Sequence, residues 1–337
     1  MSLPRKKFKN YLFYLSIIGL FLVSGCTKSY KFETLQLPSS NSFRGISVVT
    51  ESIVWVSGSG GAIFRTVDKG QSWEKKEIST TSTIDFRDVQ ALNKDTAIVM
   101  SAGSDARIYR TEDGGLSWTL LYLNNHPNIF LDGFTWSDYN NGIVYGDPVD
   151  SQMMVLKTVD AGLTWDTVRN LPNALQGEAG FAASGTGIIQ NGNEVLFGTG
   201  GKRSAIYRSK DNGLSFELIP TTMKVGDGCG IFSLAINNQH IVCVGGSYID
   251  STNSKNNVFL FTDINEINVL TPPNGYRSCV LPIKNGFISC GRTGVDISID
   301  LGVNWKSISN EGYYAMSKGG DIVWLCGKSG KVGRLKL

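Results

Sequence analysis

Arg44, Asp85, Arg87, Asp132, Glu178 and Arg277 each stand at the start of a short β-rich run, and Asp227 is placed similarly. Grouped arginines clamp a carboxylate or phosphate, and carboxylates held in unlike surroundings divide the work of general acid and base. Tyr276 or Tyr313 beside Glu178, with another acid as proton donor, would be the raw material for breaking a glycosidic bond. The same acids and bases set opposite one another would pair and fill space instead. The GDPVD stretch at 146–150 and Arg107, Lys202, Arg203 and Arg292 are further candidates for the same face. Other chemistries lack their residues. With His126 and His240 the sole histidines and no CxxC, no metal site is expected. FGTGGKRS (197–204) has neither the spacing of a phosphate-binding loop nor the third glycine of a dinucleotide fingerprint. No G-x-S-x-G elbow is present, and no cofactor is expected.

A repeat must position these groups. TVDKGQSW (66–73) recurs as TEDGGLSW (111–118), TVDAGLTW (158–165), SKDNGLSF (209–216) and SIDLGVNW (298–305). The starts are spaced by 45, 47, 51 and 89 residues, the last interval holding two units. A period in the mid-forties is that of a four-stranded propeller blade. The first unit reads FRGISVV, VWVSG, AIFRT and SWEKKEI, four short runs separated by turn residues. The fourth unit takes GFAASGTGII as its first strand, and the fifth has no intact box. The seventh supplies three runs before the chain stops, and KFETLQL (31–37) is the natural fourth, since an open ring would leave unpaired edges. The expectation is an all-β, seven-bladed β-propeller with four-stranded blades, closed by an N-terminal strand that completes the last blade. First strands then line a central channel and bring the charged residues to one mouth.

The repeated octapeptide has its own chemistry. Asp68, Asp113, Asp160, Asp211 and Asp300 accept backbone N–H groups of their turns. Gly70, Gly115, Gly162, Gly213 and Gly302 suit positive φ. Trp73, Trp118, Trp165, Phe216 and Trp305 each bring a large ring to bury between units. The turn is a fastener. The pattern S/T-x-D-x-G-x-S/T-W resembles the Asp-box of the bacterial neuraminidase (BNR) repeat, with Asn304 as a departure in the last copy. SFRGISVV, VWVSGSGGAIFRTVDKGQSW and GEAGFAASGT resemble the photosystem II assembly and stability factor branch of these propellers, over about residues 40–337. That resemblance implies boxes turned away from the ligand face and a non-catalytic scaffold that binds or assembles proteins, on an architecture shared with WD40 and YVTN-like repeats. A sialidase-like glycoside hydrolase, or a carbohydrate-binding propeller, is the alternative. Against the hydrolase, the Arg-Ile-Pro signature is missing and sialidase domains resemble six-bladed rings.

Residues 1–25 pair a basic start with the apolar run YLFYLSIIGLFLV, as in a lipoprotein signal peptide. VSGC at 23–26 resembles the lipobox, which makes Cys26 the lipidation site, 26–30 a linker and 31–337 the propeller. Loss of Arg5, Lys6, Lys7 and Lys9 leaves 28 basic residues against 29 acidic. Such a near-neutral chain has no electrostatic attraction for nucleic acid. The other five cysteines are an odd number and are read as unpaired core thiols. The expected setting is a lipid-anchored monomer of the bacterial cell envelope, on the periplasmic side or the cell surface. Its expected partners are envelope or membrane proteins, or glycans.

Overall fold

Short alternating runs between Gly-, Ser- and Asp-rich turns leave no room for a helical stripe. The computed structural model describes residues 30–79, 83–103, 105–263 and 265–337, and among these there is no helix. The signal peptide and Cys26 lie outside the described residues. Strands gather into seven sheets. Their innermost strands are Phe43–Thr50, Asp85–Ala91, Leu131–Trp136, Ile188–Asn191, Gly226–Asn237, Cys279–Ile283 and Ala315–Gly319. Each touches the next, and the last touches the first, so the sheets are the blades of a closed propeller.

Closure comes from the N-terminus. Phe32–Gln36 lies antiparallel on Lys331–Lys336, Phe32 opposite Leu335, and forms the outermost strand of the seventh blade. Leu37 is buried beside Phe43, Trp324 and Val332, so the seam between first and last blades is packed like an ordinary interior. Inner strands are also fastened by hydroxyls and a carboxylate. Ser317 Oγ accepts the Val48 N–H (3.1 Å), Ser47 Oγ accepts that of Ala91 (2.9 Å) and Ser233 Oγ that of Val280 (2.9 Å). Asp88 Oδ2 accepts the Phe134 N–H (3.0 Å). These bonds give polar backbone groups at the narrow axis the partners they require. The five described cysteines outside the N-terminal segment are free and buried.

The fourth blade differs from the sequence expectation. Its inner strand begins only at Ile188, and residues 180–187 leave the sheet and cross the channel. Ala182 O accepts from Arg87 of the second blade (3.2 Å), and Ser184 Oγ donates to Ser278 O of the sixth (2.7 Å). Thr186 Oγ1 and Ser233 Oγ of the fifth blade are 2.6 Å apart. Apart from Phe181, which stacks on Phe232, only small side chains lie on this path. Gly185 has φ +75°, and a Cβ there would lie 2.3 Å from Asp88 Oδ1. GFAASGTG is therefore a plug. On its way in, the chain pairs Glu178–Ala179 with Gly200–Gly201, which extends the fifth sheet to six segments.

Each Asp-box is a turn between third and fourth strands. In the first, Thr66 Oγ1 donates to Asp68 Oδ1 (2.8 Å) and accepts the Gly70 N–H (2.9 Å), while Asp68 also accepts the backbone and hydroxyl of Ser72 (2.9 and 2.5 Å). The other four copies repeat the carboxylate and hydroxyl bonds, Asn304 Nδ2 replacing the hydroxyl in the last (2.9 Å). The residue before each glycine is left-handed as well, as at Lys69 (φ 63°) and Ala161 (φ 62°), a strain the bonded turn sustains. Rings then lock blades together: Trp73 meets Trp324 of the seventh blade edge-on at 6.0 Å, and Trp118 meets Trp55 of the first at 6.2 Å. Gly70 has φ +79°, and a Cβ would meet the Trp324 ring at 2.7 Å. Gly70→Ala is expected to lose about 1–2 kcal/mol or more in chemical denaturation, whereas Gly192→Ala, in open space, lacks the contact part of that penalty.

Candidate functional site: the plugged channel mouth

A shared irregularity aims the site residues. In the first, second, third and fifth blades a register shift near the start of the inner strand skips one residue: Arg44, Arg87, Asp132 and Phe232. A bulge re-aims a side chain that regular pleating would direct into the sheet stack. All four line one cavity of about 350 Å³ over the plug. Asp147, Tyr248 and Arg292, from the ends of second strands, and Tyr276 complete its wall, with Phe181 of the plug on its floor. Phe181 stacks on Phe232 at 3.8 Å between centroids, and Phe232 meets Tyr276 edge-on at 4.7 Å and Tyr248 at 6.3 Å.

The charges divide into two groups. Arg87 is committed, its Nε donating to Asp85 (2.7 Å) and its Nη1 to Ala182 O. Arg44 lies over the Tyr314 ring at 4.5 Å, and Arg292 near that of Tyr248 at 5.7 Å. Neither Arg44 nor Arg292 forms an ion pair with a carboxylate among the described residues. Burial, then the neighbouring Arg87, lowers the proton affinity of Arg44, the sign of a cation lacking its counter-charge. Opposite stands an acid pair. Asp132 is buried, and neither of its carboxylate oxygens has a well-formed hydrogen bond among the described residues. Burial and then the Asp147 carboxyl push it well above the usual range, and burial pushes Asp147 to about 6, although Asp147 accepts the Gly180 N–H at 2.8 Å. The pair holds a proton near neutrality, so the arginines set the sign of the cavity.

Of the residues the repeat assigns to one mouth, Arg44, Arg87 and Asp132 line the cavity and Asp85 is held beside it by Arg87. Glu178 and Arg277 do not line the cavity. Glu178 accepts from Thr199 Oγ1 (2.7 Å) and the Leu175 N–H (2.9 Å) and pairs with Arg203 (2.7 Å), which fixes the path into the plug. Arg277 is fully buried and turns to Asp296, a third-strand residue of its own blade. Asp227 is exposed outside the cavity, Lys202 is exposed beside Gly177, and Arg107 pairs with Asp105 (3.1 Å). The GDPVD stretch contributes Asp147 alone. Tyr313 is buried between the last two blades and donates to Glu311 (3.4 Å), and Tyr276 lies near Arg44 and Arg292, so neither tyrosine named from the sequence meets Glu178, whose tyrosine neighbour is Tyr207. Phe181, Phe232 and Tyr248 were not foreseen. The bulge-position alignment with Arg44 would have found Phe232, while Phe181 was hidden in a run read as strand.

No curated protein sequence matches this one significantly. Residues 25–128 match the family model described as Photosynthesis system II assembly factor YCF48. Among solved structures, YCF48 bound to a D1 peptide is similar at TM-score 0.67 and 15% identity, covering 91% of this chain and 95% of that one. YCF48 from Cyanidioschyzon merolae is similar at 0.67 and 15%, covering 90% and 98%. Virginiamycin B lyase from Staphylococcus aureus follows at 0.65 and 13%, covering 92% and 100%. At these identities an enzyme and a binding protein share the fold equally, so fold alone does not fix activity. The chain is a seven-bladed BNR-type β-propeller, related through residues 25–128 to the photosystem II assembly factor family.

Proposed function

We propose that this propeller is a non-catalytic scaffold, held at a bacterial envelope by lipid on Cys26, that grips a carboxylate-bearing segment of an envelope or membrane protein at the plugged mouth. One observation carries the reading: Arg44 and Arg292 face an aromatic-walled cavity without carboxylate partners. Arginine on an aromatic wall suits a peptide, since the guanidinium takes a carboxylate and the rings take apolar side chains. Exposed Tyr248 and Ile249 at the cavity extend an apolar rim of the kind protein partners cover. The plug closes the floor, so a segment is received and not passed through. That a YCF48 was solved with a D1 peptide supports a peptide as the ligand class.

A photocrosslinking residue in place of Tyr248, in the full chain in its native membrane, is expected to trap a discrete protein adduct. The same residue in place of Leu116, at the opposite end of the ring, is expected not to trap that adduct. Equal trapping at both positions, or none at Tyr248, would overturn the assignment of this mouth.

A further inference from the structure

The ring has two unlike ends. The cavity is built from starts of first strands and ends of second strands, whereas every Asp-box joins a third strand to a fourth, at the other end. Fourteen large apolar residues are exposed among the described residues, and six of them sit in Asp-boxes. Leu116 is 81% exposed, Ile299 71%, Val159 63%, and Leu163 and Leu214 61% each. The turn does not need them. Its bonds come from the hydroxyl, Asp and Gly positions and its packing from the ring, while these side chains occupy the two variable positions that project outward. Apolar residues there cost solubility and give nothing to the fold.

The N-terminal segment leads to the same end. In the seventh blade the place of an Asp-box is taken by the gap between the third strand, ending at Lys336, and the closing strand, starting at Phe32. Phe32 pairs with Leu335 at that end, so the described chain enters the ring from the Asp-box side, six residues after Cys26 in sequence.

We propose that the Asp-box end is a lipid-contact surface, on which Leu116, Val159, Leu163, Leu214 and Ile299 enter the interface while the arginine cavity faces away from the membrane. This rests on the reading that Cys26 carries lipid. Single apolar side chains at one end of the ring, each on a hydrogen-bonded turn, suit shallow insertion as an adjunct to an acyl anchor, since one chain alone binds weakly. The box carboxylates beside them repel anionic headgroups, so the surface fitted is a largely zwitterionic leaflet.

The full lipidated chain, reconstituted in phosphatidylcholine vesicles, tests this. Leu163→Cys, Leu214→Cys and, as a reference, Tyr248→Cys are each labelled with an environment-sensitive fluorophore, the five described native cysteines being buried and the Cys26 thiol being taken up by lipid. Brominated lipid is expected to quench the two box labels at least threefold more than the label at 248. Equal quenching, or stronger quenching at 248, overturns the orientation while leaving the anchor standing. A chain that fails to float with vesicles overturns the anchor and the orientation together.

Discussion

Arg277→Ala is expected to lower the free energy of unfolding by about 3–5 kcal/mol, although the residue stands in sequence where Arg44 and Arg87 stand. Its guanidinium is fully buried. Nε donates to Asp296 Oδ2 at 2.5 Å, and Nη1 donates to Thr293 Oγ1 at 2.7 Å and Tyr276 O at 2.9 Å. Asp296 is equally buried, and its other donor is the Asn274 N–H at 3.1 Å. Removing the arginine strands a carboxylate where water does not reach, which costs far more than the pair contributes over a nonpolar substitute. Arg277→Lys should recover only part of the loss, because a point charge cannot make the forked contacts. Arg277→Met combined with Asp296→Leu should be milder than Arg277→Ala alone. Denaturant midpoints for the three variants check this order, and a stable Arg277→Ala protein would refute it.

The second large effect is on pH. Burial pushes Asp88 up to about 7, even though its carboxyl accepts the N–H groups of Val89 (2.9 Å) and Phe134 (3.0 Å). A carboxyl raised by folding favours the protonated native state. Its contribution is complete below the unfolded value near 3.8 and is lost as pH climbs through the folded value. Asp88 alone accounts for about 4 kcal/mol on that interval. Asp147, pushed to about 6, acts in the same sense. The Asp-box acids act oppositely. Hydrogen bonds from Ser72, Thr164 and Ser215 hold Asp68, Asp160 and Asp211 down at about 2, so their contribution is present above 3.8 and lost as pH falls toward 2. Stability should therefore peak near pH 4–5 and decline toward pH 8. Asp88→Asn should flatten the upper limb whatever it does to the maximum. Denaturation at pH 5 and pH 8 giving equal free energies for the wild type would contradict this.

The ring was legible in the sequence because its fasteners are local. An Asp-box needs a hydroxyl, an aspartate, a glycine and an aromatic within eight residues, and five copies set the blade spacing. Closure by residues 31–37 followed from the missing strand and the cost of bare edges. The site was only half legible. Arg44 and Arg277 look alike in sequence, but Arg44 is skipped by a register shift and turned to the mouth, while the inner strand of the sixth blade starts only at Cys279 and leaves Arg277 to Asp296. A one-residue shift reverses the face of a strand residue, and local composition does not encode it. The plug was missed for a related reason. GFAASGTG satisfies a strand pattern as readily as a narrow passage, and only its contacts with the second, fifth and sixth blades distinguish the two.

Arg44→Gln combined with Arg292→Gln leaves the plug, the Arg87–Asp85 pair and every Asp-box in place, so it removes the unpaired charge of the mouth and little else. The most direct measurement is the amount of partner protein that co-purifies with this variant from its native membrane, relative to wild type at equal yield and equal melting temperature. A loss of at least tenfold is expected. Undiminished recovery of the same partner would contradict capture at the plugged mouth.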